Sequence, residues 1–150
     1  MTTKRSFLAL ATVALLLVGG ALFARSTTAA TGPSVAVGTS NYGPILFDGR
    51  GYALYAFTRD QANRATCYSA CAKAWPPFIV KARATAAKGT KPSLIGTVRR
   101  RDGRLQATYA GRPLYYYVGD TKPGNVLCQN VKEYGGLWLV VRGSGALVRS

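Results

Sequence analysis

Short apolar runs alternate with glycine-containing turns along most of the chain. Asp48-Gly49 lies between two apolar runs, and Asp102-Gly103 lies between two more. This arrangement is typical of β-hairpins, because glycine adopts the positive φ that tight turns require. Residues 105–109 alternate between apolar and polar, which is the period of a strand. The pattern therefore predicts a mostly β-structured protein.

Two stretches depart from the strand pattern. Residues 68–75, YSACAKAW, predict a short helix that ends at the following Pro76-Pro77, because proline cannot continue a helix. Residues 81–93 are rich in Ala, Lys and Thr and predict a surface linker loop.

The chain contains an internal repeat. GYALYAFTRD at residues 51–60 aligns without gaps with GRPLYYYVGD at residues 111–120. Both copies contain Tyr-x-aromatic-x-x-Asp, and in both a Cys and then a Trp follow. The six motif residues are Tyr55, Phe57 and Asp60 in the first copy, and Tyr115, Tyr117 and Asp120 in the second.

We expect an all-β fold of two homologous β-meander repeats, packed as a small sandwich or a barrel-like domain, with one short helix near residues 68–75. The predicted order follows the chain. It is an export segment at 1–30, a tether at 31–40, repeat 1 at 41–80, the linker at 81–93, repeat 2 at 94–142 and a tail at 143–150.

The repeated motif has a structural and a functional interpretation. On a strand, Tyr55 and Phe57 share one face, and Leu54 and Ala56 share the other. In the structural interpretation these faces form the core, and each Asp accepts backbone N–H groups of the turn that follows it. In the functional alternative the aromatic face stacks on a sugar or another flat ligand, and the two Asp converge on a pseudo-two-fold axis to bind a cation.

The N-terminus predicts export. Lys4 and Arg5 precede an uncharged apolar run at residues 7–23, and small residues at 28–30 suit a signal peptidase. An uncleaved membrane anchor is the alternative, since a run of this length lies at the lower limit for a bilayer span. In both cases the positive end stays inside, and the remainder lies outside the cytoplasm.

Charge and composition exclude several kinds of chemistry. The chain has 20 basic and 5 acidic residues, a net charge of +15, and no His. The absence of His excludes a Ser-His-Asp triad, His-ligated metals and an imidazole base. Without residues 1–30, 17 bases and five acids remain, or +12. Such a field attracts anionic envelope polymers or lipid head groups. The bases are scattered, except for the run 99–101 with Arg104, so we expect no specific binding of nucleic acid.

The motifs together resemble a known family. They are Tyr55-x-Phe57-x-x-Asp60, Cys67-x3-Cys71-Ala72, Trp75-Pro76-Pro77-Phe78, Gly119-Asp120-Thr121-Lys122-Pro123-Gly124 and Gly135-Gly136-Leu137-Trp138. Residues 41–142 resemble the bacterial "secreted repeat of unknown function" family, which comprises predicted lipoproteins and secreted proteins. The resemblance implies export and a repeated unit, and it implies no activity. The chain lacks the lipobox Cys of the lipoprotein members, and Cys128 lies where the family usually has a Gly-rich segment.

Three Cys in an exported protein imply one disulfide and one remaining thiol. The family pattern joins Cys67 to Cys71, which leaves Cys128 as the free thiol. The alternative is that Cys128 bridges one of them and ties the two repeats together. A third interpretation is a site of three thiolates for a soft metal such as copper(I).

These observations predict an exported cell-envelope protein that acts as a non-catalytic binding or structural module, with affinity for anionic surface polymers. We expect no catalytic residue, no cofactor and no bound metal. Contact with the membrane is expected only through an uncleaved N-terminal segment. The alternative is a redox or metal-handling protein that uses Cys67, Cys71 and Cys128.

Overall fold

The computed structural model describes residues 32–149. The predicted export segment lies outside the described residues, so its cleavage stays a prediction. Within the described part of the chain, no helix is long and apolar enough to cross a membrane.

Ten short strands, one α-helix and one 3₁₀ turn make up this region. In chain order they are β1 (Ser34–Gly38), β2 (Ile45–Asp48), β3 (Tyr55–Phe57), α1 (Ala70–Ala74), β4 (Ile79–Val80), β5 (Thr85–Ala86), the 3₁₀ turn Pro92–Leu94, β6 (Ile95–Arg99), β7 (Leu105–Tyr109), β8 (Arg112–Pro113), β9 (Val131–Glu133) and β10 (Gly136–Val140).

The strands form three sheets, and the predicted all-β class with one short helix is confirmed. The sheet orders are β2-β1-β5, β3-β10-β9 and β4-β7-β6, with β8 also paired to β7. The three sheets of residues 32–149 do not close into a barrel. Strand β1 lies within the segment predicted as a tether, where it pairs with β2 in antiparallel and β5 in parallel orientation.

The helix is shorter than residues 68–75 because of the backbone at its start. Ser69 has φ 51, a left-handed conformation that cannot belong to a right-handed helix. The helix therefore begins at Ala70, and it ends before Trp75 as the following prolines require.

The two repeats begin with equivalent hairpins. In the first, β1 and β2 place Val37 opposite Leu46; in the second, β6 and β7 place Thr97 opposite Ala107. The motif glycines that follow, Gly51 with φ 89 and Gly111 with φ 74, both adopt the positive φ that favours glycine. The repeat seen in the sequence is therefore also a repeat of backbone conformation.

The last strand of each repeat pairs with a strand of the other repeat. Strand β10 of repeat 2 pairs with β3 of repeat 1, where Trp138 lies opposite Phe57. Strand β4 of repeat 1 pairs with β7 of repeat 2, and Pro77 forms a bridge with Tyr115. The repeats are thus interlocked rather than placed side by side.

Both faces of the motif strand are buried. Tyr55 and Phe57 belong to one apolar cluster together with Trp138, whereas Leu54 and Ala56 belong to a second cluster. Tyr55 and Leu54 are fully buried, and burial of a side chain of this size contributes about 1.5–3 kcal/mol. The motif strand therefore joins two cores.

Candidate functional site

The pseudo-two-fold axis passes between the two motif tyrosines. The backbone N–H of Tyr55 donates to the carbonyl of Tyr115 at 2.9 Å, and the N–H of Tyr115 donates to the carbonyl of Tyr55 at 2.9 Å. The two residues thus form an antiparallel bridge at the point where the repeats meet.

Each motif tyrosine donates to the motif aspartate of the other repeat. The Tyr55 hydroxyl donates to Asp120 Oδ2 at 2.7 Å, and the Tyr115 hydroxyl donates to Asp60 Oδ2 at 2.7 Å. Both tyrosines are fully buried. The motif therefore joins the two repeats, because the partners of each bond come from different copies.

The second oxygen of each aspartate holds the turn that follows its own strand. Asp60 Oδ1 accepts from the backbone N–H and the hydroxyl of Thr66, both at 2.7 Å. Asp120 Oδ1 accepts from the backbone N–H of Leu127 at 2.9 Å. Each carboxylate thus has donors on both of its oxygens. Among residues 32–149 there is no group of three Cys, Asp or Glu side chains that could hold a metal ion.

Burial changes the titration of these four groups. It raises the pKa of Asp60 and of Asp120, and the hydrogen bonds that each carboxylate accepts partly oppose the rise. Burial also raises the pKa of Tyr55 and of Tyr115, and the neighbouring carboxylate adds to the effect. The raised pKa keeps both tyrosine hydroxyls protonated at neutral pH, where they act as donors.

The two tryptophans stack on each other near the axis. The rings of Trp75 and Trp138 lie 4.0 Å apart and are 3° from parallel. Each packs edge-on, at 5.2 Å, against the motif tyrosine of its own repeat. Phe57 stacks on Trp138 at 4.2 Å, and Tyr117 lies 4.8 Å from Trp75. The sequence predicted the aromatic face of the motif strand as either core or ligand surface. In the structure this face packs against aromatic side chains of the other repeat.

The cysteines differ between the repeats. Cys67 and Cys71 form a disulfide with a Cα–Cα distance of 5.3 Å. Cys128, at the position in repeat 2 that corresponds to Cys67, is a buried free thiol, and burial raises its pKa. A site of three thiolates would require reduction of this disulfide. The redox or metal-handling alternative stays a prediction.

Sequence reasoning missed the role of Asp48 and of Arg100. Asp48 is buried, accepts from Arg50 and forms a link to repeat 2 through the Tyr116 hydroxyl at 3.0 Å. Arg100 is 3% exposed, and its guanidinium donates to Gln106 Oε1 and to the carbonyl of Cys67. The only signal for Asp48 was the turn Asp48-Gly49, and no signal separated Arg100 from its two arginine neighbours.

A large cleft is formed mostly by residues that precede position 84, and Tyr116 is the lining residue that comes from repeat 2. It has a volume of about 1070 Å³ and is lined on one side by Pro77 and the segment after it, and on the other by Arg50 and Tyr116. Lys81 and Arg83 lie at its exposed edge. The cleft thus has apolar residues such as Phe78 and Val80 in its lining and a positive edge, while its Arg50 is already paired with Asp48.

Comparison with known proteins identifies a family. The family model described as a secreted repeat of unknown function matches residues 36–79 and 96–142, together more than half of the 150-residue chain. The two matched ranges correspond to the two interlocked repeats. No curated protein and no solved structure matches the chain.

Proposed function

The chain belongs to the family of secreted repeats of unknown function and is extracytoplasmic, and from that premise we propose that it is a non-catalytic envelope module that binds anionic surface polymers. The observation that carries this proposal is that all five carboxylates already have partners within the molecule, which leaves most basic residues without a carboxylate partner.

All five carboxylates accept hydrogen bonds or form ion pairs within the molecule. Asp60 and Asp120 accept hydrogen bonds from the motif tyrosines, and Glu133 accepts from the indole Nε1 of Trp75 at 2.8 Å. Asp48 pairs with Arg50, and Asp102 pairs with Arg104 and lies 3.8 Å from Arg100. These are the ion pairs of residues 32–149. Hence 14 of the 17 basic residues there have no carboxylate partner.

A surface of this kind attracts polyanions. Unpaired surface charges of one sign produce a long-range field that raises the local concentration of the opposite sign. The large cleft adds an apolar groove with Lys81 and Arg83 at its edge, which suits an extended anionic polymer. The module thus combines a general field with a surface shaped to hold a chain.

The test is binding of the predicted mature protein, residues 31–150, to anionic surfaces as salt is varied. We expect cosedimentation with vesicles that contain phosphatidylglycerol, and with a wall-polymer fraction, at about 0.05 M salt. We expect release at about 0.5 M, because the Debye length falls several-fold from about 14 Å. Vesicles of phosphatidylcholine alone are the control. Equal retention on neutral vesicles, or retention unchanged at high salt, would contradict the proposal.

A further inference from the structure

A small pocket is lined by three arginines from both repeats. It has a volume of about 290 Å³ and lies between the turn after β3 and the end of β6. Arg64 comes from repeat 1, and Arg99 and Arg101 come from repeat 2. Thr66 and Tyr68 also line it. We call this hollow the arginine pocket.

The three guanidinium groups have no carboxylate partner among residues 32–149. None of them lies within 4.0 Å of an acidic side chain. The two nearest acids along the chain are committed elsewhere, since Asp60 holds Thr66 and Asp102 pairs with Arg104. Like charges that converge on one hollow repel each other. An anion in the hollow would remove this repulsion.

Tyr68 orients part of the cluster. The guanidinium of Arg101 lies 4.0 Å from the centre of the Tyr68 ring, and that of Arg100 lies 4.3 Å from it. The backbone N–H of Arg101 also donates to the Tyr68 hydroxyl at 3.1 Å. A guanidinium that packs by its face keeps its N–H donors in the plane, where they can bind two oxygens of one anion.

The pseudo-symmetry shows that repeat 1 has no charge at the position of Arg99. Because Val37 and Thr97 are equivalent, Arg99, two residues after Thr97, corresponds to the uncharged Thr39. The positive charge at position 99 is therefore not shared by the two repeats.

We propose that the arginine pocket binds one phosphate group of an anionic ligand. Three planar donor groups around a hollow of about 290 Å³ suit a tetrahedral oxyanion with several acceptor oxygens. The large cleft is a weaker candidate for such a site, because its Arg50 is already paired with Asp48 at 2.8 Å. This inference rests on the proposed function and gives it a specific contact.

The experiment compares two variants with the same loss of charge. The pocket variant is R64Q/R99Q/R101Q, and the control variant K88Q/K122Q/K132Q removes three exposed bases elsewhere. Inorganic phosphate is titrated into each full mature chain, and binding is followed by amide chemical shifts. We expect saturable binding by the wild type with shifts at the pocket. The pocket variant should lose about tenfold or more in affinity, and the control less than about twofold.

A conservative variant guards against loss of the fold. R99K/R101K keeps both charges but removes the planar forks, and we expect about three- to fivefold weaker phosphate binding. Thermal unfolding of all variants should match the wild type, because the three arginines are exposed. The inference would be overturned if the pocket and control variants lost equal affinity for phosphate. It would also be overturned if both R99K/R101K and the pocket variant bound phosphate as tightly as the wild type.

The same variants separate this inference from the proposed function. If the wild type binds phosphatidylglycerol vesicles and the two triple variants weaken that binding equally, the general field stands and the pocket fails. If the wild type binds inorganic phosphate in the pocket but releases from every anionic surface, the pocket stands and the envelope function fails. If the wild type shows no saturable phosphate binding, the pocket is overturned whatever the vesicles show.

Discussion

Removal of the Tyr55 hydroxyl should destabilise the protein more than removal of the Tyr115 hydroxyl. In Y55F, Asp120 Oδ2 loses its donor, and Asp120 is only 5% exposed, so water cannot easily replace it. In Y115F, Asp60 Oδ2 loses its donor, but Asp60 is half-buried and keeps both bonds from Thr66. A hydrogen bond to a charged group contributes about 1.5–3 kcal/mol. We therefore expect Y55F to cost about 2–3 kcal/mol, and Y115F about 1–1.5 kcal/mol.

The assay is urea unfolding of the mature chain, followed by tryptophan fluorescence, since Trp75 and Trp138 lie beside these tyrosines. Y116F is a matched control. It also removes a bond from a tyrosine to an aspartate, but Asp48 keeps the donors of Arg50 and the backbone N–H of Tyr52. Its expected cost is below about 1 kcal/mol. If Y55F costs no more than Y116F, or if Y115F costs more than Y55F, the cross-repeat bonds do not stabilise the fold as argued.

Two further predictions concern the axis and the exchanged strands. Because the folded-state pKa of Asp60 and Asp120 is raised above 3.8, their contribution to stability is fully present below that value and is lost as the pH rises through the raised pKa. The free energy of unfolding should thus fall less between pH 7 and pH 4 for the wild type than for D60N/D120N; an equal or steeper fall in the wild type would refute the sign. A cut between Lys91 and Pro92 should yield fragments 31–91 and 92–150. Each should be unfolded by circular dichroism, and the two should fold when mixed, because each lacks the strand that the other supplies. A cooperative transition in either fragment alone would contradict this.

The sequence was sufficient for the class of fold and for the repeat. Alternation and Asp-Gly turns predict strands from local geometry, and the proline pair after Trp75 sets the end of the helix. Strand parity also separated Tyr55 from Leu54, and the structure places them in two different cores. These features depend on residues that are close together in the chain, so the sequence pattern is enough to predict them.

The exchange between repeats could not be predicted in the same way. Period-two alternation gives the face of a strand but not its partner, so nothing in the sequence said that β10 pairs with β3. The bonds from Tyr55 to Asp120 and from Tyr115 to Asp60 follow from that pairing. The burial of Arg100 could not be predicted either, because its guanidinium donates to the carbonyl of Cys67, which is 33 residues away in the chain.

The exchange of last strands also sets a rule on the number of units. A chain with one such repeat would have a Trp strand like β10 and a motif strand like β3, but they could not pair with each other in this arrangement. It would have to find both partners on a second molecule. A chain with three repeats would leave one unit unmatched. Proteins built in this way should thus carry an even number of units per closed assembly, either within one chain, as here, or by symmetric association of shorter chains.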